Sequence, residues 1–238
     1  MRRPGPRKPA VIFAALAIAT MLAGAGCSRV VNNNVSNITI GSAPYTEGSG
    51  KVITQTRSLE DFGSVALENG VTVIMRHGAK SAVDVTADDN LTALIATDVA
   101  GGKLTIRVTG SLTTHNQIRL TLTAALPTES IAVDGGSTLD VEDVSGPMLR
   151  VAAHGGSTLR AGGKTVSLEV EVGGGSTADL RNVEAKIADV AVDGGSTATL
   201  NVSDVVKGTC HGGSTLSVSG GADTAAVGKD SGSSIGGN

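Results

Sequence analysis

The sequence has no tryptophan, one tyrosine and two phenylalanines among its 238 residues. Aromatic side chains bury the largest apolar areas, so a conventional core built around them is excluded. The interior must instead consist of valine, alanine, leucine and isoleucine, which suit thin, regular layers of β-structure. The same scarcity argues against an enzyme that stacks sugar rings on aromatic side chains.

Cysteine is also scarce, because the chain has only Cys27 and Cys210. Cys27 follows an apolar run, "AVIFAALAIATMLAGAG", which is preceded by Arg2, Arg3, Arg7 and Lys8. A basic stretch, a short apolar run and small residues are typical of an export signal. We therefore predict a signal peptide over residues 1–26 and no framework of disulfides.

The residues around Cys27, "LAGAGCS", resemble the lipobox of bacterial lipoproteins. The resemblance implies that Cys27 becomes the acylated first residue of the mature protein. Gly24 stands where leucine is usual, and Leu22 lies two residues too early, so ordinary cleavage by signal peptidase is the alternative. We expect residues 27–49, rich in asparagine, serine and glycine, to form a lipid-anchored flexible tether.

Basic residues are outnumbered beyond the signal peptide. The stretch 27–238 holds 15 of the 19 basic residues and all 22 acidic ones, a net charge of −7. This charge excludes nucleic acid as a partner, because nucleic-acid binding requires a basic surface. No later segment is long and apolar enough to span a bilayer. The predicted partners are the membrane, through the lipid, and a polysaccharide or protein ligand, and no cofactor or metal is expected.

The tetrapeptide GGST occurs five times, starting at residues 135, 155, 174, 194 and 212. The spacing of 18 to 20 residues is nearly constant, which is typical of a solenoid. Apolar residues alternate with polar ones on both sides of each copy, as in strands with one buried face. We predict an all-β fold, a β-solenoid or parallel β-helix, in which coils of about 20 residues stack and bury a continuous column.

Each diglycine is predicted to form a structural corner, because glycine adopts positive φ and has no Cβ to collide with neighbouring coils. The serine and threonine that follow are expected to form hydroxyl ladders along the stack. The predicted corner residues are Gly135, Gly136, Gly155, Gly156, Gly174, Gly175, Gly194, Gly195, Gly212 and Gly213.

The residues before the diglycines predict a polar ladder of Asp134, His154, Asp193 and His211, interrupted by Gly173. Stacking would pair each aspartate with the histidine of the next coil. Two side chains are too few for a typical metal site, so we expect weak, solvated contacts. Cys210 aligns with valine and alanine in the other coils, which predicts a small buried core residue.

A further β-rich region precedes the repeats. The Arg57 to Phe62 opening, the Asn69–Gly70 turn, "ADDNL" and "GGKLTI", followed by glycine-rich β-repeats, resemble the auto-transporter adhesin family with a head GIN domain. The resemblance implies an exported envelope protein with a right-handed parallel β-helix over residues 50–221. The GGST repeats occupy residues 131–221, and residues 222–238 form a Gly/Ser-rich cap or tail. "DDNLTALIATDVAGG" is consistent with either a helix or a strand and turn.

We expect a noncatalytic adhesive, binding or scaffolding solenoid that is anchored in the cell envelope. One alternative is a carbohydrate-active enzyme, since parallel β-helices host polysaccharide lyases and hydrolases that use paired carboxylates. Asp140, Glu142 and Asp179 are exposed candidates. A second alternative is a structural module that forms a homo-oligomer through the strand edges at an open end.

Overall fold

The computed structural model describes residues 45–237, which consist almost entirely of β-strands. The predicted signal peptide, Cys27 and the tether up to residue 44 lie outside the described residues. Within the described part, no helix has the length and hydropathy that crossing a membrane requires. Among residues 45–237, the single helical element is a short 3₁₀ turn at Thr92–Leu94.

Nine strands precede the GGST repeats: β1 Tyr45–Glu47, β2 Val52–Ser58, β3 Ser64–Glu68, β4 Thr72–His77, β5 Ala82–Asp88, β6 Ile95–Ala100, β7 Lys103–Val108, β8 Ser111–Thr113 and β9 Arg119–Ala124. Eight strands follow: β10 Ser130–Val133, β11 Thr138–Ala153, β12 Thr158–Val172, β13 Thr177–Val192, β14 Thr197–Cys210, β15 Thr215–Ser219, β16 Asp223–Lys229 and β17 Ser234–Gly237.

The repeats stack in parallel and in register, which confirms the predicted β-solenoid with coils of about 20 residues. Leu139 pairs with Leu159, which in turn pairs with Ala178 of the next coil. Each of β11 to β14 runs from one corner to the next, with register shifts where the strand bends between its two faces. Alternate side chains point inward and form apolar columns that are almost completely buried.

All five diglycines lie in the left-handed region with nearly identical angles. The first glycine of each pair has φ between 64° and 66°, and the second has φ between 74° and 76°. Asn69 and Gly70 have φ of 64° and 77° and form the corner of the coil below. Asparagine tolerates this conformation better than most residues, so the Asn69–Gly70 turn extends the stack before the first GGST.

The serine of each corner points into the stack and is buried. In four of the five GGST corners its hydroxyl accepts a backbone N–H of the coil below, whereas the Ser157 hydroxyl donates to the carbonyl of His154 at 2.6 Å. Thus Ser196 accepts from Ser176 at 3.3 Å, and Ser214 accepts from Ser196 at 3.2 Å. The threonine that follows faces outward and is half-buried. The two hydroxyl residues of GGST therefore have different roles, since only the serine satisfies buried corner donors.

The first coils depart from a uniformly parallel stack. Strand β6 pairs antiparallel with β7, and β5 pairs antiparallel with both β2 and β9. The ambiguous segment before Gly101 ends in a strand and a turn, because Gly101 and Gly102 adopt positive φ and reverse the chain. Antiparallel strands thus cover the first end of the solenoid, where a purely parallel coil would leave an open edge.

The C-terminal segment continues the solenoid. Strand β16 pairs with β14, and β17 pairs with β15, both in parallel. Residues 231–234, Ser-Gly-Ser-Ser, occupy the corner, and the Ser233 hydroxyl accepts the N–H of Ser214 at 3.3 Å. The described part of the predicted cap or tail therefore contributes one more coil.

Candidate functional site

A shallow trough runs along the solenoid axis on the face that precedes the corners. Its floor is the column of outward-facing residues that stand three positions before the first glycine of each corner, as Ala132 does before Gly135. Register pairs stack these residues one coil above another. Three are alanines, and the other two are a glutamate and a threonine. From the first coil upward the floor consists of Ala132, Ala152, Glu171, Ala191 and Thr209.

One wall of the trough is a column of charged side chains. Arg150 donates from Nε to Glu169 Oε2 at 2.7 Å, and Lys207 Nζ lies 3.0 Å from Asp189 Oδ2. Both pairs are largely exposed, and exposed pairs contribute little to stability. Their main consequence is that each cation of this wall already has a carboxylate partner.

The other wall is the column before the corners, in which the structure stacks the predicted polar ladder. Backbone hydrogen bonds join successive coils beside this column. The N–H of His154 donates to the carbonyl of Val133, and the N–H of His211 donates to the carbonyl of Val192. The column holds Asp134, His154, Gly173, Asp193, His211 and Asp230 in successive coils. Asp230 extends the ladder into the last coil.

Side chains within this column do not pair as predicted. Asp134 and Asp193 each accept the N–H of the next residue, Gly135 or Gly194, at 2.6 Å. The two histidines lie closer to other carboxylates. His154 Nε2 lies 3.7 Å from Glu171 Oε1 on the floor.

His211 completes the same pattern at the end of the column. Its Nδ1 atom lies 3.9 Å from Asp230 Oδ2 in the last coil. The same Oδ2 atom accepts the N–H of Gly212 at 2.8 Å. The hydroxyl of Ser233, the N–H of Gly212 and the nearby His211 hold the pKa of Asp230 below its ordinary value.

Gly173 has no side chain and leaves a gap in the wall formed by the column before the corners. A Cβ on Gly173 would lie 3.0 Å from His154 Nδ1, so the imidazole lies over this glycine. The N–H of the following residue, Gly174, has no hydrogen-bond acceptor among residues 45–237. Donors and carboxylates therefore face one another across the gap, with His154 and Glu171 on one side and Asp193 and His211 on the other.

Two depressions, each of about 350 Å³, lie in the trough. One is lined by the alanines and the charged wall, and the other by the gap at Gly173. Both include Glu171 and Ala191, so they form one continuous surface. Its length and shallowness suit an extended ligand better than a small enclosed one.

The trough carries an excess of negative charge. Glu169, Glu171 and Asp189 face it from the floor and the charged wall, and Asp134 and Asp193 from the corner wall. The cations of the charged wall are Arg150 and Lys207. Like charges repel across a shared surface, so a polyanion is a poor ligand for this trough.

The carboxylates proposed for catalysis lie on the opposite side of the corners and are each paired with an arginine. Arg160 lies 3.3 Å from Asp140, Arg181 lies 2.7 Å from Asp179, and Arg76 lies 3.8 Å from Glu142. An adjacent guanidinium favours the ionised carboxylate, whereas a general acid must hold a proton. In the described part of the chain, no group of three or more metal-binding side chains is arranged to hold an ion.

The corner glycines lie where the repeat predicts, but the alanines of the floor were not identified from the sequence. Aligning the repeats reveals these alanines, because Ala132, Ala152 and Ala191 each stand three residues before the first glycine of a corner. Cys210 is fully buried in the core, and this burial raises the pKa of its thiol.

The comparisons with known proteins agree with the fold. The family described as "Putative auto-transporter adhesin, head GIN domain" matches residues 61–222. None of the curated proteins matches the sequence. A crystal structure of a "putative adhesin" from Bacteroides fragilis is similar with a TM-score of 0.67 at 16% identity, covering 81% of this chain and 99% of that one.

Two other crystal structures are similar. A "putative adhesin" from Parabacteroides merdae has a TM-score of 0.55 at 14% identity, over 82% of this chain and 100% of that one. A "putative lipid binding protein" from Parabacteroides distasonis has a TM-score of 0.51 at 12% identity, over 82% and 97% of the two chains. At these identities the likeness establishes a shared fold.

Proposed function

This chain belongs to the family described as "Putative auto-transporter adhesin, head GIN domain", and from that premise we propose that it is a noncatalytic adhesin of the bacterial cell envelope. The observation that carries the proposal is the trough, a continuous surface over several coils that is walled by polar side chains. A shallow surface of repeated groups binds an extended partner through many weak contacts.

A binding role is favoured over catalysis by the way the carboxylates are used. Those beyond the corners are paired with arginines, and two in the corner wall accept backbone N–H groups. We expect the chain to bind polysaccharide or protein surfaces without cleaving them. Incubation with soluble polysaccharides should release no new reducing or unsaturated ends, and release of such ends would reverse the assignment.

Anchoring through Cys27 is the second part of the proposal, and it rests on the predicted signal peptide and the lipobox-like sequence. In a bacterial host that acylates exported lipoproteins, radiolabelled palmitate should be incorporated into the wild-type chain. Cys27→Ser should abolish the label, while the matched variant Cys210→Ser should retain it. Equal labelling of the wild type and Cys27→Ser would remove the lipid anchor from the proposal.

Self-association through the last coil is less favoured. Lys229 aligns with Cys210 in the last coil and is exposed, so a charged residue stands on the final strand edge. Charged side chains on an edge strand oppose its pairing with a second edge. Size-exclusion chromatography of the detergent-extracted chain should therefore give a monomer, whereas a dimer that persists on dilution would favour the structural module.

A further inference from the structure

We propose that residues 45–49 form a releasable strap, which closes on the first part of the solenoid and opens as a unit while the repeats stay folded. The strap consists of β1, Gly48 and Ser49. The inference goes beyond the proposed adhesive function, because it concerns how the chain enters the solenoid. It is carried by the isolated pairing of β1, by the contacts of residues 88–90 and by a glycine hinge at Gly50.

Strand β1 is held by much less structure than the repeats are. Its three residues are all exposed, and Tyr45 retains 62% exposure. Within residues 45–237 it pairs only with β8, and these two strands form a sheet of their own. Strands β11 to β14 pair on both sides and contribute to the buried columns. Segments that bury few apolar groups open at the lowest free energy, so β1 opens before the repeats do.

Polar contacts from Asn90 and Asp89 hold the strap closed. Asn90 donates from Nδ2 to the carbonyl of Glu47 at 2.7 Å, and its Oδ1 atom accepts the N–H of Ser49 at 2.9 Å. The Ser49 hydroxyl donates to Asp89 Oδ1 at 2.6 Å. Asn90 and Ser49 are exposed, so water replaces these bonds when the strap opens. The closed strap is therefore favoured by a small difference in free energy.

Asp88 fixes the strand that receives the strap. Its side chain is buried, with Oδ2 accepting the Thr114 hydroxyl and Oδ1 accepting Nδ2 of Asn116, both at 2.6 Å. Thr114 directly follows β8, so these bonds hold the end of that strand in place. Gly48 packs over the same carboxylate, because a Cβ at this position would collide with Oδ2 of Asp88. The strap therefore closes only with a glycine at position 48.

Gly50 provides the hinge of the strap. Its φ of 81° lies in the left-handed region that favours glycine, and a Cβ on it would meet no atom within 4 Å. Beyond the hinge the chain is held again, since the carbonyl of Lys51 accepts the N–H of Asp89 at 2.9 Å. Opening therefore ends at Gly50 and releases the last residues of the predicted tether, which span about 17 Å when extended. In a chain anchored through Cys27, the strap would extend the reach of the solenoid by that length.

Hydrogen exchange followed by mass spectrometry tests the strap on the full chain, extracted in detergent. In the wild type, the amides of residues 45–49 should exchange more slowly than those of an unstructured peptide and faster than those of β12 and β13. Asn90→Ala removes two hydrogen bonds and should speed exchange of the strap about tenfold, with β12 and β13 unchanged. Equal protection of strap and repeats in the wild type, or an unprotected strap, would overturn the inference.

Two further variants assign the effect to named contacts. Gly48→Ala should keep the strap open, so that residues 45–49 exchange like an unstructured peptide while β12 and β13 remain protected. Asp84→Ala is the matched control for Asn90→Ala, because Asp84 lies on β5 but accepts from Thr56 of β2, outside the strap. The control should leave exchange of the strap unchanged. A strap that stays protected in Gly48→Ala, or that opens equally in Asp84→Ala, would contradict the inference.

The outcomes separate the inference from the proposed function. Cys27→Ser should show the same exchange of residues 45–49 as the wild type, because the strap does not depend on acylation. If the chain is not acylated or binds no surface while the strap exchanges as expected, the proposed function is wrong and the inference stands. If the chain is anchored and adhesive but residues 45–49 exchange only together with the repeats, the strap is wrong and the proposed function stands.

Discussion

The Oδ1 atom of Asp134 lies 2.6 Å from the point that a Cβ atom on Gly155 would occupy. A carboxylate of one coil thus fills the space beside the corner of the next, and the backbone nitrogen of Gly135 lies 3.1 Å from the same point. The first glycine of a corner is therefore constrained by its neighbours as well as by its positive φ.

Gly155→Ala should destabilise the protein more than Gly156→Ala. Both glycines have positive φ, which costs an alanine about 1–2 kcal/mol. A Cβ on Gly156 meets no atom within 4 Å, so that variant should show only this cost. Urea unfolding of the two variants measures the difference. Equal losses of stability would contradict the close approach of adjacent coils.

Ser196→Ala should lower the free energy of unfolding by about 1–3 kcal/mol, the cost of leaving a buried donor without an acceptor. The Ser196 hydroxyl accepts the N–H of Ser176 at 3.3 Å inside the stack. Thr197→Ala is the matched control, because this neighbouring hydroxyl faces outward. Chemical denaturation should show a small change for the control, and a similar loss for both variants would assign the buried ladder no special role.

The solenoid could be predicted from the sequence because a fixed repeat also fixes the register. Once the GGST corners are superimposed, Leu139, Leu159 and Ala178 must share one inward column, as they do. The antiparallel first coils carry no such repeat, and their pairing depends on contacts that are distant in sequence. The last corner was missed because Ser231–Gly232 replaces the diglycine.

The candidate site was only partly accessible from the sequence for a related reason. Spacing places Asp134 beside His154 along the column, but it does not determine which donor the carboxylate accepts from. A backbone N–H one residue away, at 2.6 Å, is a closer donor than the histidine of the next coil. Glu171 was not considered as the partner of His154, since the prediction followed only the column before the corners.

Cys210 should resist thiol reagents while the protein is folded. Burial raises the pKa of its thiol, which lowers the fraction of reactive thiolate at neutral pH. In the Cys27→Ser background this is the single thiol, so maleimide labelling followed by mass spectrometry reports on one site. Labelling should be slow in buffer and rapid in denaturant, and equally fast labelling in both would show that the last coil does not cover the thiol.

Cys210→Val should be tolerated, because valine occupies the same column one coil below, at Val192. A volume-conserving apolar exchange in a core usually costs less than about 1.5 kcal/mol. Cys210→Asp is the contrasting variant, since it places a charge in the buried column. Thermal unfolding should separate the two clearly, and a large loss for valine would mean that the thiol makes a contact that packing alone does not describe.

Asp230 should make the last corner sensitive to acid. Its pKa is lowered from the ordinary 3.8 by the Ser233 hydroxyl, the Gly212 N–H and His211. A carboxylate with a lowered folded-state pKa stabilises the fold above its unfolded-state pKa, and this contribution is lost as the pH falls through the folded value. Asp230→Asn should therefore remove part of the pH dependence of unfolding between about pH 5 and the lowered pKa.

Urea unfolding at a series of pH values from neutral to acidic measures this effect, with Asp143→Asn as a control at an exposed aspartate outside the corners. The control should keep the pH dependence of the wild type. Since the Asp230 carboxylate accepts the N–H of Gly212 at 2.8 Å, its protonation weakens one of the hydrogen bonds that join the last two coils. A curve for Asp230→Asn that parallels the wild type at every pH would mean that this bond does not hold the final coil.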